Sequence, residues 1–287
     1  MKKEKNSCKI ALEAIAMINF KIWEKEFPLY DSAITNEQND GINSMQFYGV
    51  EGENPVPVVV IFPGGGYSFR SNVNEGETVA RFFNKKGIAA AVVQYRVAPY
   101  RYPAPLLDAQ RAIKILRYKG AELGINPDRL FTLGFSAGGH LCGMTATFPD
   151  ICNIYNDEID KMSHKPTGAI LGYPVVTSDE AIWHSGSFKN LLGENYDKRE
   201  EFSLEKRVDK DTCPCFVFCC AYDGLVPKEN SIMLAEALWK NGVHCELHVF
   251  PEGGHGGGLR QINLNSRVWP ELAADWILRF GKPDMPE

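Results

Sequence analysis

The sequence predicts a layered α/β fold, a mostly parallel central sheet with helices on both faces. Three observations carry this. Short runs that are apolar throughout, such as Val58-Val59-Val60-Ile61, recur along the chain. A strand of that kind suits a parallel sheet, where both faces are covered. Stretches with apolar residues at helical spacing fall between these runs, so strand and helix alternate. Glycine-rich turns follow several of the runs, and in such sheets ligands bind beyond the carboxyl ends of the strands.

Taken in order, residues 1–44 read as a lead-in, irregular and polar around residues 35–43. A surface helix is expected over its apolar part, residues 10–18. Glu13 interrupts that part and no clear cleavage site follows, so a signal peptide is not expected and the protein is placed in the cytoplasm. One domain is expected over residues 45–287. It opens with a strand at 45–50 and a second at 57–62. A helix over 75–86 closes at Gly87, and another apolar strand covers 88–95. Residues 96–105 form a loop broken by prolines. Leu106, Ala109, Ile113 and Leu116 share one face of a helix over 106–118.

A short strand at 129–133 then runs into a glycine-rich turn and a helix over 137–147. A further strand is expected at 168–173. The pattern loosens over 174–212, which holds Trp183, His184, Ser187 and Asn190 and reads as a lid-like excursion over the sheet edge. A strand at 215–221, a helix at 228–241 capped by Gly242, a strand at 243–250 and a helix at 266–280 complete the chain.

The net charge of −5 has no long run of either sign. That argues against nucleic acid and gives no basic patch for a membrane surface. No stretch is long enough to span a bilayer. The eight cysteines tempt one towards disulfides. Four of them, Cys213, Cys215, Cys219 and Cys220, fall within or just before one apolar run, and they read as small buried hydrophobes in a reducing compartment. There is no C-x-x-C pair, so a metal site is not expected.

The chemistry is expected at Gly134-Phe135-Ser136-Ala137-Gly138. A G-x-S-x-G sequence between strand and helix forces a sharp turn that pushes the serine hydroxyl outward, above the helix N-terminus. The motif alone also fits a plain turn; its setting and partners decide. Pro63-Gly64-Gly65-Gly66-Tyr67 follows another buried strand. It lacks the Gly-Lys-Ser/Thr ending and the G-x-G-x-x-G spacing of phosphate loops, and it reads as the other half of an oxyanion hole. A serine needs a base and the base needs a carboxylate. Ser136, Asp223 and His255 supply them in that order, each just after a strand. His140 is read as packing on the elbow helix or lining the cleft, and His248 as solvent-facing. His164, His184 and His244 lack a glycine-rich setting after a strand. Asp108 lies on a helix, and Asp209 and Asp211 precede a strand.

These motifs resemble those of α/β-hydrolase fold esterases of the acetyl esterase, acetylxylan esterase and feruloyl esterase-like group, related to the hormone-sensitive-lipase type. The resemblance rests on PGGGYS at 63–68, on residues 95–104, on GFSAGGHL at 134–141, on YDGLVPKENS at 222–231 and on ELHVFPEGGHGGGL at 246–259. It covers about residues 45–280. Pro63 stands where the hormone-sensitive-lipase pattern has a histidine, which points to the carbohydrate-esterase branch. The resemblance implies Ser136 as nucleophile, Asp223 as acid, His255 as base, and the backbone of Gly65, Gly66 and Ala137 as oxyanion donors. Tyr67 and His140 are candidates for substrate contact. No cofactor is expected. The implied substrate is a small short-chain ester, above all an acetylated sugar or xylo-oligosaccharide. A feruloyl or general short-chain esterase is the alternative among enzymes, and a catalytically silent binding protein of the same fold the alternative outside them.

Overall fold

A computed structural model describes residues 17–25, 27–52, 55–260 and 265–280. Eight strands form one sheet: β1 (Ile18–Lys21), β2 (Ser44–Tyr48), β3 (Val56–Phe62), β4 (Ala89–Val93), β5 (Ile125–Phe135), β6 (Gly168–Gly172), β7 (Cys215–Cys220) and β8 (Cys245–Phe250). Their spatial order is β1-β2-β4-β3-β5-β6-β7-β8. From β4 to β8 every pairing is parallel, while β1–β2 and β2–β4 are antiparallel.

Six α-helices are described: α1 (Thr78–Asn84), α2 (Ala104–Tyr118), α3 (Ala137–Thr147), α4 (Ser185–Leu192), α5 (Glu229–Lys240) and α6 (Trp269–Arg279). Alternation along β3 feeds two cores. Val58, Val60 and Phe62 face the cluster that takes in α2, α3 and α5. Val59 and Ile61 face the one built on α1 and α6, where Trp269 stacks on Phe218 with ring centroids 4.6 Å apart. Burying a side chain of this kind stabilises the fold by roughly 1.5–3 kcal/mol. An all-apolar strand is therefore used twice over, once on each face.

The lead-in differs from expectation. Residues 10–16 of the expected helix lie outside the described residues, but Ile18 to Lys21 form an edge strand paired with β2. No alternation announced it, because its residues are largely exposed. The segment beyond it is anchored. Trp23 is buried and its indole N–H donates to Asp108 Oδ1 at 2.7 Å. Asp108 is fully buried in a pair with Arg96, whose Nη2 lies 2.7 Å away. Its burial beneath the loop after β4 takes it out of contention as a catalytic acid.

Two expected elements shift. The helix placed at 75–86 begins as a π-turn over Asn72–Glu77 and becomes α1 only at Thr78. His248 on β8 is half-buried rather than solvent-facing, its ring 4.8 Å from that of Phe216. Of the cysteines, seven are described and all are free thiols; Cys8 lies outside the described residues. Burial pushes Cys142 and Cys152 up to about 12, where the thiolate needed for reaction is absent at neutral pH. Among the described residues, no helix is long and apolar enough to cross a membrane.

Candidate active site

The sheet ends deliver the site. β5 runs straight into α3 through Ser136, which has φ 55° and ψ −120°. A non-glycine residue held there stores strain on the order of 1–3 kcal/mol. The neighbouring glycines make the turn possible. A Cβ on Gly134 would lie 2.0 Å from Gly138 O, and one on Gly138 would lie 2.1 Å from Phe62 O. Side chains at either position would drive β5, α3 and β3 apart. Three backbone bonds hold the strained residue: its N–H donates to Gly172 O, and its carbonyl accepts from His140 and Val175.

Asp223 follows β7 and His255 follows β8, so the strand order places both beside Ser136. The Ser136 hydroxyl donates to His255 Nε2 at 2.7 Å, and His255 Nδ1 donates to Asp223 Oδ2 at 2.7 Å. The other carboxylate oxygen of Asp223 accepts the N–H groups of Leu225 and Val226, both at 2.9 Å. Burial alone raises the Asp223 pKa. The hydrogen bond from His255, its charge and the two N–H groups outweigh that and hold the carboxyl below its ordinary value.

The glycine loop after β3 faces Ser136. Gly65, Gly66 and Tyr67 all have positive φ, at 140°, 63° and 56°. Within the loop, Ser68 and Phe69 donate back to Gly65 O, and the Gly64 N–H is taken by Glu75 Oε2. The N–H groups of Gly65 and Gly66 take part in none of these bonds. Ala137 opens α3, where an N–H has no partner within its own helix. Gly65 and Gly66 line one cleft of about 350 Å³ together with Ser136, His255, His184 and Phe69, and Ala137 follows Ser136 directly in the chain.

Tyr67 and His140 are brought together, but beneath the loop rather than in the cleft. Tyr67 is buried, and its hydroxyl bonds His140 Nδ1 at 2.9 Å. His140 Nε2 donates to Phe202 O at 2.7 Å. The pair ties the glycine loop to α3 and to the excursion. They are corrected from substrate contacts to supports, because the positive φ of Tyr67 turns its ring inward. Burial lowers the His140 pKa to about 4, against an ordinary 6.5. The unfolded chain takes up this proton near 6.5 and the folded chain does not until about 4. Stability from this group is therefore full above pH 6.5 and falls as the pH drops towards 4, by about 3 kcal/mol at most. Thermal melts at pH 7.5 and 5 should show a smaller loss in His140→Asn than in the wild type; equal losses would place the acid sensitivity elsewhere.

Sequence reasoning missed three cleft residues. His184 caps α4: its Nδ1 accepts the Ser187 N–H at 3.3 Å. Burial, then the nearby His255, lower its pKa, so the neutral ring keeps its N–H on Nε2. Histidine is not among the usual N-cap residues, so no cap signal announced it. Asn190 donates to Gly66 O at 2.9 Å, which clamps the excursion onto the glycine loop. Glu75, buried at the back of the cleft, left no signal beyond its place near the start of an expected helix.

An eight-stranded sheet in this order, with a strained serine where its central strand turns into a helix, is the α/β-hydrolase fold. Within that class the chain belongs to the BD-FAE family, whose model matches residues 46–238. It is 37% identical over 204 residues to an endo-1,4-beta-xylanase B of Butyrivibrio fibrisolvens, covering 69% of this chain and 32% of that protein. An acetylxylan esterase of Xylanibacter ruminicola is 34% identical over 214 residues, covering 72% of this chain and 42% of that one. The chain thus spans less than half the length of these two relatives. Among solved structures, an acetyl ester-xyloside bifunctional hydrolase from Caldicellulosiruptor lactoaceticus superimposes with a TM-score of 0.84 at 39% identity, covering 93% of this chain and 96% of that one. The thermophilic esterase Est2 of Thermogutta terrifontis gives 0.72 at 27% identity, covering 87% and 93%. Est2 has also been solved with propionate and with butyrate bound.

Proposed function

We propose that this chain is a serine carboxylesterase that removes short acyl groups, above all acetyl, from sugars or xylo-oligosaccharides through an acyl-enzyme. The observation that carries the reading is the unbroken relay Ser136–His255–Asp223, each link 2.7 Å, opening into the cleft. In this mechanism His255 takes the Ser136 proton as Oγ attacks the ester carbonyl. Asp223 keeps the proton of His255 on Nδ1 and stabilises the imidazolium. The N–H groups of Gly65, Gly66 and Ala137 receive the developing oxyanion. His255 then returns the proton to the leaving alcohol. Water, activated by the same base, releases the acid.

The sugar ester is favoured by the names of the relatives, an acetylxylan esterase and an acetyl ester-xyloside hydrolase. Bound propionate and butyrate in Est2 agree with a short acyl group. Size agrees too. A cleft of about 350 Å³ stands at the small end of ligand sites, and it must hold the acyl and alcohol halves together. Phe69, His184 and Leu225 wall it. A wall rejects extra carbons by clash, which exceeds the roughly 1–3 kcal/mol that a methylene gains from apolar contact. With p-nitrophenyl esters, kcat/KM should fall from acetate through butyrate to octanoate, by at least about tenfold overall. A preference for octanoate would overturn the small-acyl reading. A clear preference for feruloyl esters over acetyl esters would move the assignment to that branch.

A further inference from the structure

Glu75 is a buried carboxylate that the mechanism above does not use, and both hydrogen bonds of its side chain reach a loop of the site. Its Oε2 accepts the N–H of Gly64, at the head of the glycine loop, at 2.9 Å. Its Oε1 accepts the hydroxyl of Tyr173, just after β6, at 2.7 Å. That hydroxyl in turn accepts the N–H of Gly258, three residues beyond His255, at 3.0 Å. The packing leaves no slack. A Cβ on Gly64 would lie 2.7 Å from Glu75 Oε2, and one on Gly258 would lie 2.6 Å from the carbonyl oxygen of Asn74, the residue before Glu75. The Tyr173 ring also packs edge-on against His255, centroids 5.0 Å apart.

We propose that Glu75 is a positioning residue which, as an anion, joins the oxyanion loop to the His255 loop and adds to Asp223 in supporting the positive charge His255 carries in the transition state. The inference rests on the serine-esterase reading. The hydrogen bonds favour the anion, because two donors point at the carboxylate and Tyr173, already accepting from Gly258, has its proton free to give. Burial raises the Glu75 pKa above the ordinary carboxylate value, and the Tyr173 hydroxyl, the Gly64 N–H and the charge of His255 offset only part of that rise. The groups that face His255 are Ser136 from the elbow, Asp223 from the loop after β7, Tyr173 from the end of β6, Glu75 from the π-turn and His184 from the excursion. Of these, Asp223 and Glu75 are the carboxylates.

The test is the pH dependence of kcat/KM for p-nitrophenyl acetate in Glu75→Gln and Tyr173→Phe. The neutral amide withdraws a negative charge from beside the base. The acid limb should then move to lower pH by about one unit, and the plateau should fall about tenfold or more, since the same interaction stabilises the imidazolium. Tyr173→Phe removes the hydroxyl that favours ionised Glu75. Glu75 then gains its proton at higher pH, and the acid limb should move up instead. Glu75→Asp keeps the charge and should keep the wild-type limb. A residue serving only the fold would lower the melting temperature and leave all limbs in place. Limbs superimposed on the wild type in both Glu75→Gln and Tyr173→Phe, or a wild-type plateau in Glu75→Gln, would overturn the proposal. Should Glu75→Gln fail to fold, the limb of Tyr173→Phe decides. Wild-type enzyme inert towards the ester and towards organophosphorus labels would instead defeat the serine-esterase reading itself.

Discussion

Ser136→Ala is expected to abolish turnover of p-nitrophenyl acetate to within a trace while leaving the protein folded. The loss should be on the order of a millionfold in kcat, with a residual rate of about a thousandfold over water from the oxyanion donors and binding. The fold should survive because the elbow is held by its backbone. The bonds from Ser136 to Gly172, His140 and Val175 use main-chain atoms only, and alanine suffers no more than serine from a φ of 55°. What disappears is the single oxygen that His255 Nε2 faces. Turnover near the wild-type rate in purified, folded Ser136→Ala would remove this serine as nucleophile.

Asp223→Asn should be the next most damaging change, by about ten-thousandfold in kcat. The reasoning is geometric. Oδ1 of Asp223 already accepts two N–H groups, from Leu225 and Val226. In asparagine the carbonyl oxygen must stay there, which turns the amide NH2 towards His255 Nδ1. Two donors then face each other. His255 relieves this by moving its proton to Nε2, and that atom can no longer accept from Ser136. Asp209→Asn serves as the comparison. Its carboxylate accepts from Asp211 and Thr212 in a local turn, so that variant should keep wild-type turnover. A crippled Asp209→Asn beside a nearly neutral Asp223→Asn would mean that the wrong carboxylate has been chosen.

The relay was legible in the sequence because each of its members is announced by the backbone. Ser136, Asp223 and His255 each stand where an apolar strand gives way to a turn, and a parallel sheet collects such turns along one edge. The central strands were legible for the same reason: a residue buried on either face must be apolar. What failed was anything that depends on direction. Tyr67 adjoins the glycine loop, yet a positive φ turns it beneath the loop onto His140. His248 sits at an alternating position on the terminal strand β8, yet the ring of Phe216 on the neighbouring β7 packs against it. Glu75 and His184 act across loops far apart in sequence, and no local pattern encodes such a meeting. The edge strand β1 escaped because exposed strands show no alternation to read.

The covalent step at Ser136 is the centre of this account, and a fluorophosphonate probe tests it most directly. The protein is incubated with the probe, residual esterase activity is followed in time, and the modified chain is mapped by peptide mass. The account predicts one adduct per chain, carried by Ser136, accumulating in step with the loss of activity and absent from Ser136→Ala. An adduct on any other residue, or full esterase activity in unlabelled protein after prolonged exposure, would contradict it.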